Sequence, residues 1–366
     1  MNIEKIQGSI EKIEKEIKET PYHKGTEHHI GKLKAKLAKL RLQLEKGTKK
    51  KGGEGFAIRK EGDATLVLVG LPSVGKSTLL NKLTRAKSKV ASYPFTTLKV
   101  IPGMLDYKGA KIQLLDIPGL IGGSTKGKGK GKQVLSMVRI ADLLLLLASV
   151  EEPAAFKLIE KELHLAGVRV NEKRPQVFIE KKARGGIQIL GKKPESISTE
   201  IVKSLAREFG ILNADIVFKE DVNQDQLIDV FLGNRVYAPG LRVLSKIDLV
   251  SKKELKDILN KIKGSVIAIS AKEDLGLKKL KEEVFSKLNL IRIYLRKSRK
   301  AKPERRPLIC KRGTTVLEAA KKISEELAKE IKGAKIQGPS VKYPNQLVGL
   351  KHQLSDKDVV FFVKTI

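Results

Sequence analysis

Residues 70–84 read GLPSVGKSTLLNKLT and follow directly on the apolar run ATLVLV. The start of this stretch fits the pattern G-x-x-x-x-G-K-[ST], in which glycines let the backbone curl so that successive N–H groups point at phosphate oxygens. A strand before the turn and a helix from about Lys76 would also bring the phosphates to a helix N-terminus. The stretch therefore predicts a phosphate-binding loop on an α/β domain.

The predicted phosphate contacts come from the loop and from the start of its helix. Lys76 would place a positive charge on the outer phosphates, and Ser77 would offer a hydroxyl to Mg²⁺. The residues that we expect to contact the nucleotide here are Gly70, Pro72, Ser73, Val74, Gly75, Lys76, Ser77 and Thr78.

Two motifs that follow in the chain would complete a metal and γ-phosphate site. The run YPFTT offers Thr96 and Thr97 as a loop that would close over the γ-phosphate and Mg²⁺. The run DIPG supplies Asp116 for the metal, directly or through water, and Gly119, whose N–H can sense the γ-phosphate. We therefore expect metal contacts from Ser77, Thr96, Thr97 and Asp116, and catalytic roles for Lys76, Thr96, Thr97 and Gly119.

Two later motifs predict recognition of guanine. The run SKID places Lys246 and Asp248 at the end of a strand, where a carboxylate can accept hydrogen bonds from guanine N1–H and N2–H₂. Adenine cannot supply that pair of donors. The run SAK, which comprises Ser270, Ala271 and Lys272, ends the next strand and can donate a backbone N–H to guanine O6. Together the motifs favour a GTP or GDP site.

Strand and helix signals predict several domains. Apolar residues spaced by three and four between Ile3 and Leu44 predict a helical hairpin. A strand is expected within a few residues of the helix that ends near residue 165, but the next matching strand occurs only at 241–248. The segment between them has an α+β pattern of its own, which indicates an inserted subdomain. A capping box from Thr315 to Glu318 and a last strand DVVFFVK mark a C-terminal unit.

The chain resembles the developmentally regulated GTP-binding proteins, a family of Obg-related GTPases, nearly from end to end. The resemblance includes TEHHIGKLKAKLAKLRLQL, GEGFAIRKEGDATLVLVGLPSVGKSTLLNKLT, ASYPFTTLKVIPGMLDYKGAKIQLLDIPGLI, GKGKGKQVLS and SVKYPNQLVGLKHQLSDKDVV. It implies a P-loop GTPase domain with an inserted subdomain like domain 2 of ribosomal protein S5, and a C-terminal β-grasp TGS domain. The expected domains are a helical hairpin at 1–50, the G domain at 62–167 and 239–290, the insertion at 168–238 and the TGS domain at 291–366.

Composition points to a polyanionic partner. Lys and Arg number 74 against 41 Asp and Glu, which gives a net charge of +33 and favours RNA or a ribosome. A thermophile surface is the alternative, but it would enrich both signs of charge. The single cysteine, Cys310, excludes an intramolecular disulfide, and no signal peptide or membrane-spanning run is evident. We expect a cytoplasmic protein that does not bind membranes.

The chain departs from the usual GTPase motifs at two positions. Ser245 stands where the guanine-reading motif usually has Asn, and we expect it to make fewer hydrogen bonds to the binding loops. Leu120 stands where the Ras template has the Gln that orients water, so we expect slow intrinsic hydrolysis. Some relatives use a K⁺ ion held by an Asn of the phosphate loop, where this chain has Ser73, and K⁺ is kept as a candidate cofactor.

Three functions remain open from the sequence. The resemblance implies a GTPase switch that acts on ribosomes or translation with a stabilising companion protein. A P-loop ATPase with relaxed base specificity is the second reading, which Asp248 disfavours. An RNA-binding protein with a structural, non-hydrolysed nucleotide is the third. The run GGSTKGKGKGKQ at 122–133 would let nucleotide state order a basic loop against RNA, or would simply be solvated.

Overall fold

A computed structural model of the chain describes residues 3–23, 25–47, 60–84, 91–92, 99–116, 130–192, 194–298 and 301–364. The α-helices within these residues are α1 (Ile3–Glu19), α2 (Glu27–Gly47), α3 (Lys76–Leu83), α4 (Lys130–Ile140), α5 (Ala155–Leu165), α6 (Thr199–Glu208), α7 (Gln224–Leu232), α8 (Lys252–Lys261), α9 (Leu277–Lys287), α10 (Val316–Ile323) and α11 (Glu325–Glu330). None of the helices in this part of the chain is both apolar enough and long enough to cross a membrane.

The strands are β1 (Ala64–Gly70), β2 (Ala91–Ser92), β3 (Lys99–Tyr107), β4 (Ala110–Asp116), β5 (Leu143–Ser149), β6 (Val168–Val170), β7 (Val177–Lys181), β8 (Ile187–Gly191), β9 (Ala214–Phe218), β10 (Val236–Ala238), β11 (Gly240–Ser245), β12 (Val266–Ala268), β13 (Leu290–Leu295), β14 (Leu308–Lys311), β15 (Ile331–Gln337), β16 (Gln346–Val348) and β17 (Val359–Lys364).

The larger of two compact units is built on a seven-stranded sheet in the order β12-β11-β5-β1-β4-β3-β2. Strands β1 and β5 are buried along their whole length, as expected for apolar runs in the middle of a parallel sheet. The strand pairs from β12 to β4 are parallel, whereas the pairs β4–β3 and β3–β2 are antiparallel. Because parallel strands end at one edge, Gly70, Asp116 and Ser245 come to the same side of the sheet.

The C-terminal part of this unit forms a five-stranded sheet in the order β14-β13-β17-β15-β16. Thr315 caps α10 through the predicted capping box with Glu318. Val316, Ala319 and Ala320 of α10 pack with Ile293 of β13 and Val360 of β17 in one apolar core. The C-terminal part is therefore a mixed sheet with α10 packed on it.

The smaller unit holds the N-terminal helices and a separate three-stranded sheet, β7-β9-β8. Ile13 of α1 packs against Leu33 and Leu37 of α2, which is the predicted hairpin seam. The other side of α2 contributes Ala35 to the core formed by this sheet with α6 and α7. The helical hairpin therefore packs on the body of the same chain. The domain boundaries given above stay predictions.

A buried ion network lies beside the parallel pair β6–β10 of the smaller unit. Asp229 of α7 accepts hydrogen bonds from Arg169 at 2.6 and 2.8 Å and from Arg235 at 2.7 Å. The Arg169 and Asp229 side chains are each only 5% exposed. Burial, followed by the charge of Arg169, lowers the pKa of nearby His164. The network joins α7 to Arg169 on β6, at the start of the predicted insertion, and to Arg235, which directly precedes β10 at its end.

Candidate nucleotide-binding site

The loop between β1 and α3 is curled by its glycines and anchored by one apolar side chain. A Cβ at Gly70 would lie 2.7 Å from the backbone oxygen of Leu147 on β5, so only glycine fits without a shift. Ser73 and Gly75 have positive φ angles of 61° and 89°. Val74, between them, is 4% exposed and packs into the core. The loop is thus held against the sheet with its backbone turned outward.

The start of α3 offers free backbone donors beside a lysine. Gly75 caps the helix without a side-chain hydrogen bond, which leaves first-turn N–H groups available to an anion. The Lys76 ammonium lies across the loop and donates to the backbone oxygens of Gly70 and Leu71 at 3.0 and 2.6 Å. Burial lowers the pKa of Lys76, and the charge of Asp116 opposes that shift. Lys76 is therefore poised where phosphates would meet the loop.

Ser77 and Asp116 form the part of the site that suits a metal ion. The Ser77 hydroxyl donates to Asp116 Oδ2 at 2.7 Å. Asp116 is 1% exposed, and its Oδ1 atom is buried with no hydrogen-bond partner. A buried carboxylate oxygen without a partner is costly unless a ligand completes it. A hydroxyl and a carboxylate are the oxygen donors that Mg²⁺ prefers, so the residues fit this ion.

The predicted guanine-reading residues lie at the ends of the neighbouring strands. Lys246 has a positive φ of 61° directly after β11, and its ammonium pairs with Glu151 at 2.7 Å. Asp248 is exposed in a short 3-10 turn, Ile247–Leu249. A hydrogen bond from the buried Ser270 side chain lowers the pKa of Asp248. The carboxylate is thus ionised at neutral pH and turned to solvent as an acceptor.

Ser245 connects the two halves of the site. It is 4% exposed, and its hydroxyl lies 2.7 Å from the backbone oxygen of Val74 and 3.1 Å from that of Ala148. A hydroxyl has one hydrogen to donate, so the shorter contact, to Val74 in the phosphate loop, is favoured. Although Ser has fewer hydrogen-bonding groups than Asn, it keeps a direct bond to the loop. The sequence predicted hydrogen bonding from Ser245 to the binding loops, but it did not indicate the Val74 oxygen as the acceptor or the pairing of Glu151 with Lys246, although Glu151 follows the end of β5.

The remaining predicted residues are placed as follows. Pro72, Ser77 and Thr78 are exposed at the loop and on the first turn of α3. Ala271 is partly buried and Lys272 is exposed after Ser270. The predictions that fall outside the described residues are those for Thr96, Thr97, Gly119, Leu120 and most of the basic run 122–133.

Comparison with protein families agrees with this arrangement. The family model described as 50S ribosome-binding GTPase matches residues 65–182, and the model described as the C-terminal region of the same MMR_HSR1 domain matches 184–290. The TGS domain model matches residues 291–364. The fold and the site therefore define a P-loop GTPase domain followed by a TGS domain, as the sequence predicted.

Similar proteins narrow this class to one family. An uncharacterized GTP-binding protein of Methanocaldococcus jannaschii is 46% identical over 362 residues, covering 98% of this chain and 93% of that protein. Developmentally-regulated GTP-binding protein 2 of Homo sapiens is 42% identical over 359 residues, covering 97% and 98%. The chain belongs to the family of developmentally regulated GTP-binding proteins. The resemblance stated from the sequence is confirmed, and the family implies a guanine nucleotide as ligand.

Proposed function

We propose that the protein hydrolyses GTP to GDP and phosphate and acts as a molecular switch. The observation that supports this most directly is the pair formed by Ser77 and Asp116, with one buried carboxylate oxygen left for a ligand. Asp248 lies in the turn that follows β11, and its exposed carboxylate provides the acceptor that selects guanine over adenine. Phosphate and base would thus be held by one edge of the sheet.

The chemistry assigned to the chain is the stabilisation of charge on the phosphates. Lys76 and the first-turn N–H groups of α3 would neutralise negative charge as it shifts towards the leaving group, while water attacks the γ-phosphorus. Mg²⁺, when bound at Ser77 and Asp116, would supply further positive charge between the phosphates. Thr96, Thr97 and Gly119 are proposed to complete this site. Slow intrinsic turnover, accelerated by K⁺, a ribosomal component or a companion protein, is expected because Leu120 cannot orient water.

The proposed partner is a ribosome or RNA, in the cytoplasm. The matched family model is described as a 50S ribosome-binding GTPase, and the chain has a net charge of +33. A surplus of positive charge favours a phosphate-rich surface. A stabilising companion protein of the kind that binds this family is proposed as a second partner.

Phosphate release measured under single-turnover and multiple-turnover conditions tests the hydrolysis. We expect release from GTP with Mg²⁺, faster with K⁺ than with Na⁺ or when ribosomes are added, and none from Lys76→Ala protein. The variant Lys279→Ala, which removes an exposed lysine of α9, is the matched control and should turn over normally. Absence of turnover with K⁺ and ribosomes would favour a structural nucleotide, and equal rates with ATP would favour an ATPase.

A further inference from the structure

A basic pocket lies where the hairpin between β3 and β4 meets the TGS domain. We call it the junction pocket; it has a volume of about 390 Å³ and its lining includes Lys108, Arg292, Arg305 and Arg306. A volume of this size falls within the range of small-molecule sites, about 300 to 1,000 Å³. The wall that joins the two domains is closely packed, because a Cβ at Gly109 would lie 2.6 Å from Pro307.

The positive charges of the junction pocket are only partly compensated. Arg292 is paired with Asp356, which accepts from its Nε at 3.0 Å and from its Nη2 at 2.6 Å. Lys108, Arg305 and Arg306 have no hydrogen-bond or ion-pair partner for their side chains among the described residues. Glu304 precedes Arg305 but does not line the pocket. Lys108, Arg305 and Arg306 are exposed, so water and salt screen their charges, but together they give this open pocket a net positive charge that no acidic lining residue offsets.

The backbone and one aromatic ring fix this arrangement. Lys108 has a positive φ of 51° at the tip of the hairpin, a conformation that a lysine adopts at a cost. Its ammonium lies 5.6 Å from the centroid of the Phe285 ring, and the Arg292 guanidinium lies 6.0 Å from the same centroid. Two of the cations that line the pocket thus lie over one buried ring, which is itself not part of the lining. Asn or Gly would suit this turn better, so the lysine is explained by its charge rather than by the turn.

The junction pocket is separate from the nucleotide site. Strand β4 begins at Ala110, next to the hairpin tip, and ends at Asp116 in the nucleotide site. Its seven residues span about 20 Å at a rise of about 3.3 Å per residue. A ligand in the junction pocket therefore lies beyond the reach of the phosphate loop.

We propose that the junction pocket binds a compact ligand with two adjoining phosphate groups. A single phosphate carries a charge of about −1.5 to −2 near pH 7, so two of them are needed to match three uncompensated cations. Arginine recognises phosphate oxygens in pairs, and adjacent Arg305 and Arg306 supply two such guanidinium groups. The three cations line one open pocket of about 390 Å³, a size that suits a compact diphosphate. This site is additional to the GTPase function and does not depend on it.

Calorimetry with inorganic pyrophosphate on the full-length chain tests the proposal. The protein is saturated with GDP and Mg²⁺ so that the phosphate loop is occupied, and free Mg²⁺ is matched in both solutions. We expect one pyrophosphate per chain, and affinity weakened by about tenfold or more in the double variant Arg305→Gln, Arg306→Gln. The double variant Lys278→Gln, Lys279→Gln removes two exposed lysines of α9 and should bind pyrophosphate within about twofold of the wild type, because neither lysine lines the pocket.

A second variant separates charge from folding. Lys108→Gly removes the charge and relieves the positive φ, so the protein should be at least as stable to heat while its affinity for pyrophosphate falls. All variants should keep their affinity for GTP. The absence of pyrophosphate binding, an equal loss in both double variants, or a dependence on Arg305 and Arg306 seen only with single-stranded RNA would overturn the proposal.

Discussion

Asp248 shows how much of nucleotide choice one side chain can decide. Its exposed carboxylate is an acceptor-only group held by Ser270, and the Asp248→Asn variant presents an amide N–H₂ in its place. We expect the variant to lose about tenfold or more in affinity for GTP and to gain affinity for XTP, because the 2-oxo group of xanthine suits an amide donor. Competition of labelled GTP by unlabelled XTP measures the change.

The control for this substitution is Asp257→Asn on α8, which alters an exposed carboxylate away from the site. That variant should keep the wild-type order of affinities. If Asp248→Asn also keeps it, Asp248 does not read the base.

Ser245 is the residue at which the phosphate loop and the base-reading turn are joined. Ser245→Ala removes the hydroxyl that reaches the Val74 oxygen at 2.7 Å and adds no new group. Loss of this buried hydrogen bond should cost about 1 kcal/mol and lower GDP affinity about fivefold. Calorimetry with GDP and Mg²⁺ measures the loss. Ser251→Ala, which removes the cap of α8, is the control because it destabilises a helix without touching the loop; an equal loss of affinity there would contradict the role of Ser245.

For single residues, the sequence predicted position well where phosphate or metal binding requires residues at a fixed spacing along the chain. Lys76 and Ser77 follow the loop glycines at set positions, and Asp116 ends a buried strand, so their neighbourhood was predictable. The bond from Ser245 to Val74 joins positions far apart in the chain. The motif around Ser245 predicted some hydrogen bonding to the binding loops, but not the acceptor, because this contact arises only when β11 and the phosphate loop reach the same edge of the sheet.

Among the elements, α7 offers a direct comparison of a buried and an exposed ion pair. Asp229 is buried between Arg169 and Arg235, whereas Asp225, on the same helix, pairs with Lys34 and has a side chain that is 57% exposed. Asp229→Ala leaves two arginines uncompensated and should destabilise the smaller unit by about 3 to 5 kcal/mol. Asp225→Ala should cost less than about 1 kcal/mol.

Hydrogen exchange of the amides in α7 and β9 measures these changes as local opening free energies. This readout is preferred to global unfolding because the chain forms two units. Similar exchange in both variants would mean that the buried network contributes no more than a surface pair.

Elements with long apolar runs were predictable, and short or charged ones were not. The sequences of β1 and β5 predict strands because nearly all of their residues are apolar. β6 and β10 have three residues each and become strands only by pairing with one another. No motif in the sequence predicted β13, which includes Arg292, yet Ile291 and Ile293 are buried in it by the neighbouring strands. These segments form strands because they pair with strands that are distant in the sequence, and a local pattern does not reveal such pairs.

For the whole molecule, the excess of positive over negative charge is the property that favours a polyanionic partner. A net charge of +33 on 366 residues is far from the balance of a typical domain and should make binding to a ribosome strongly dependent on salt. The charge alone, however, would attract any polyanion equally in both nucleotide states. A switch requires that GTP and GDP forms differ in affinity for the partner.

Co-sedimentation with ribosomes across a salt series separates these two contributions. We expect affinity to fall by roughly a hundredfold or more between 50 and 200 mM salt in both states, because cation release accompanies each phosphate contact. At any one salt concentration, protein with a non-hydrolysable GTP analogue should pellet more than protein with GDP. Lys76→Ala, which is expected to bind neither nucleotide, should keep the salt dependence and lose the difference between nucleotides. Equal pelleting of the GTP-analogue and GDP forms at every salt concentration would reduce the ribosome interaction to charge alone and contradict the switch.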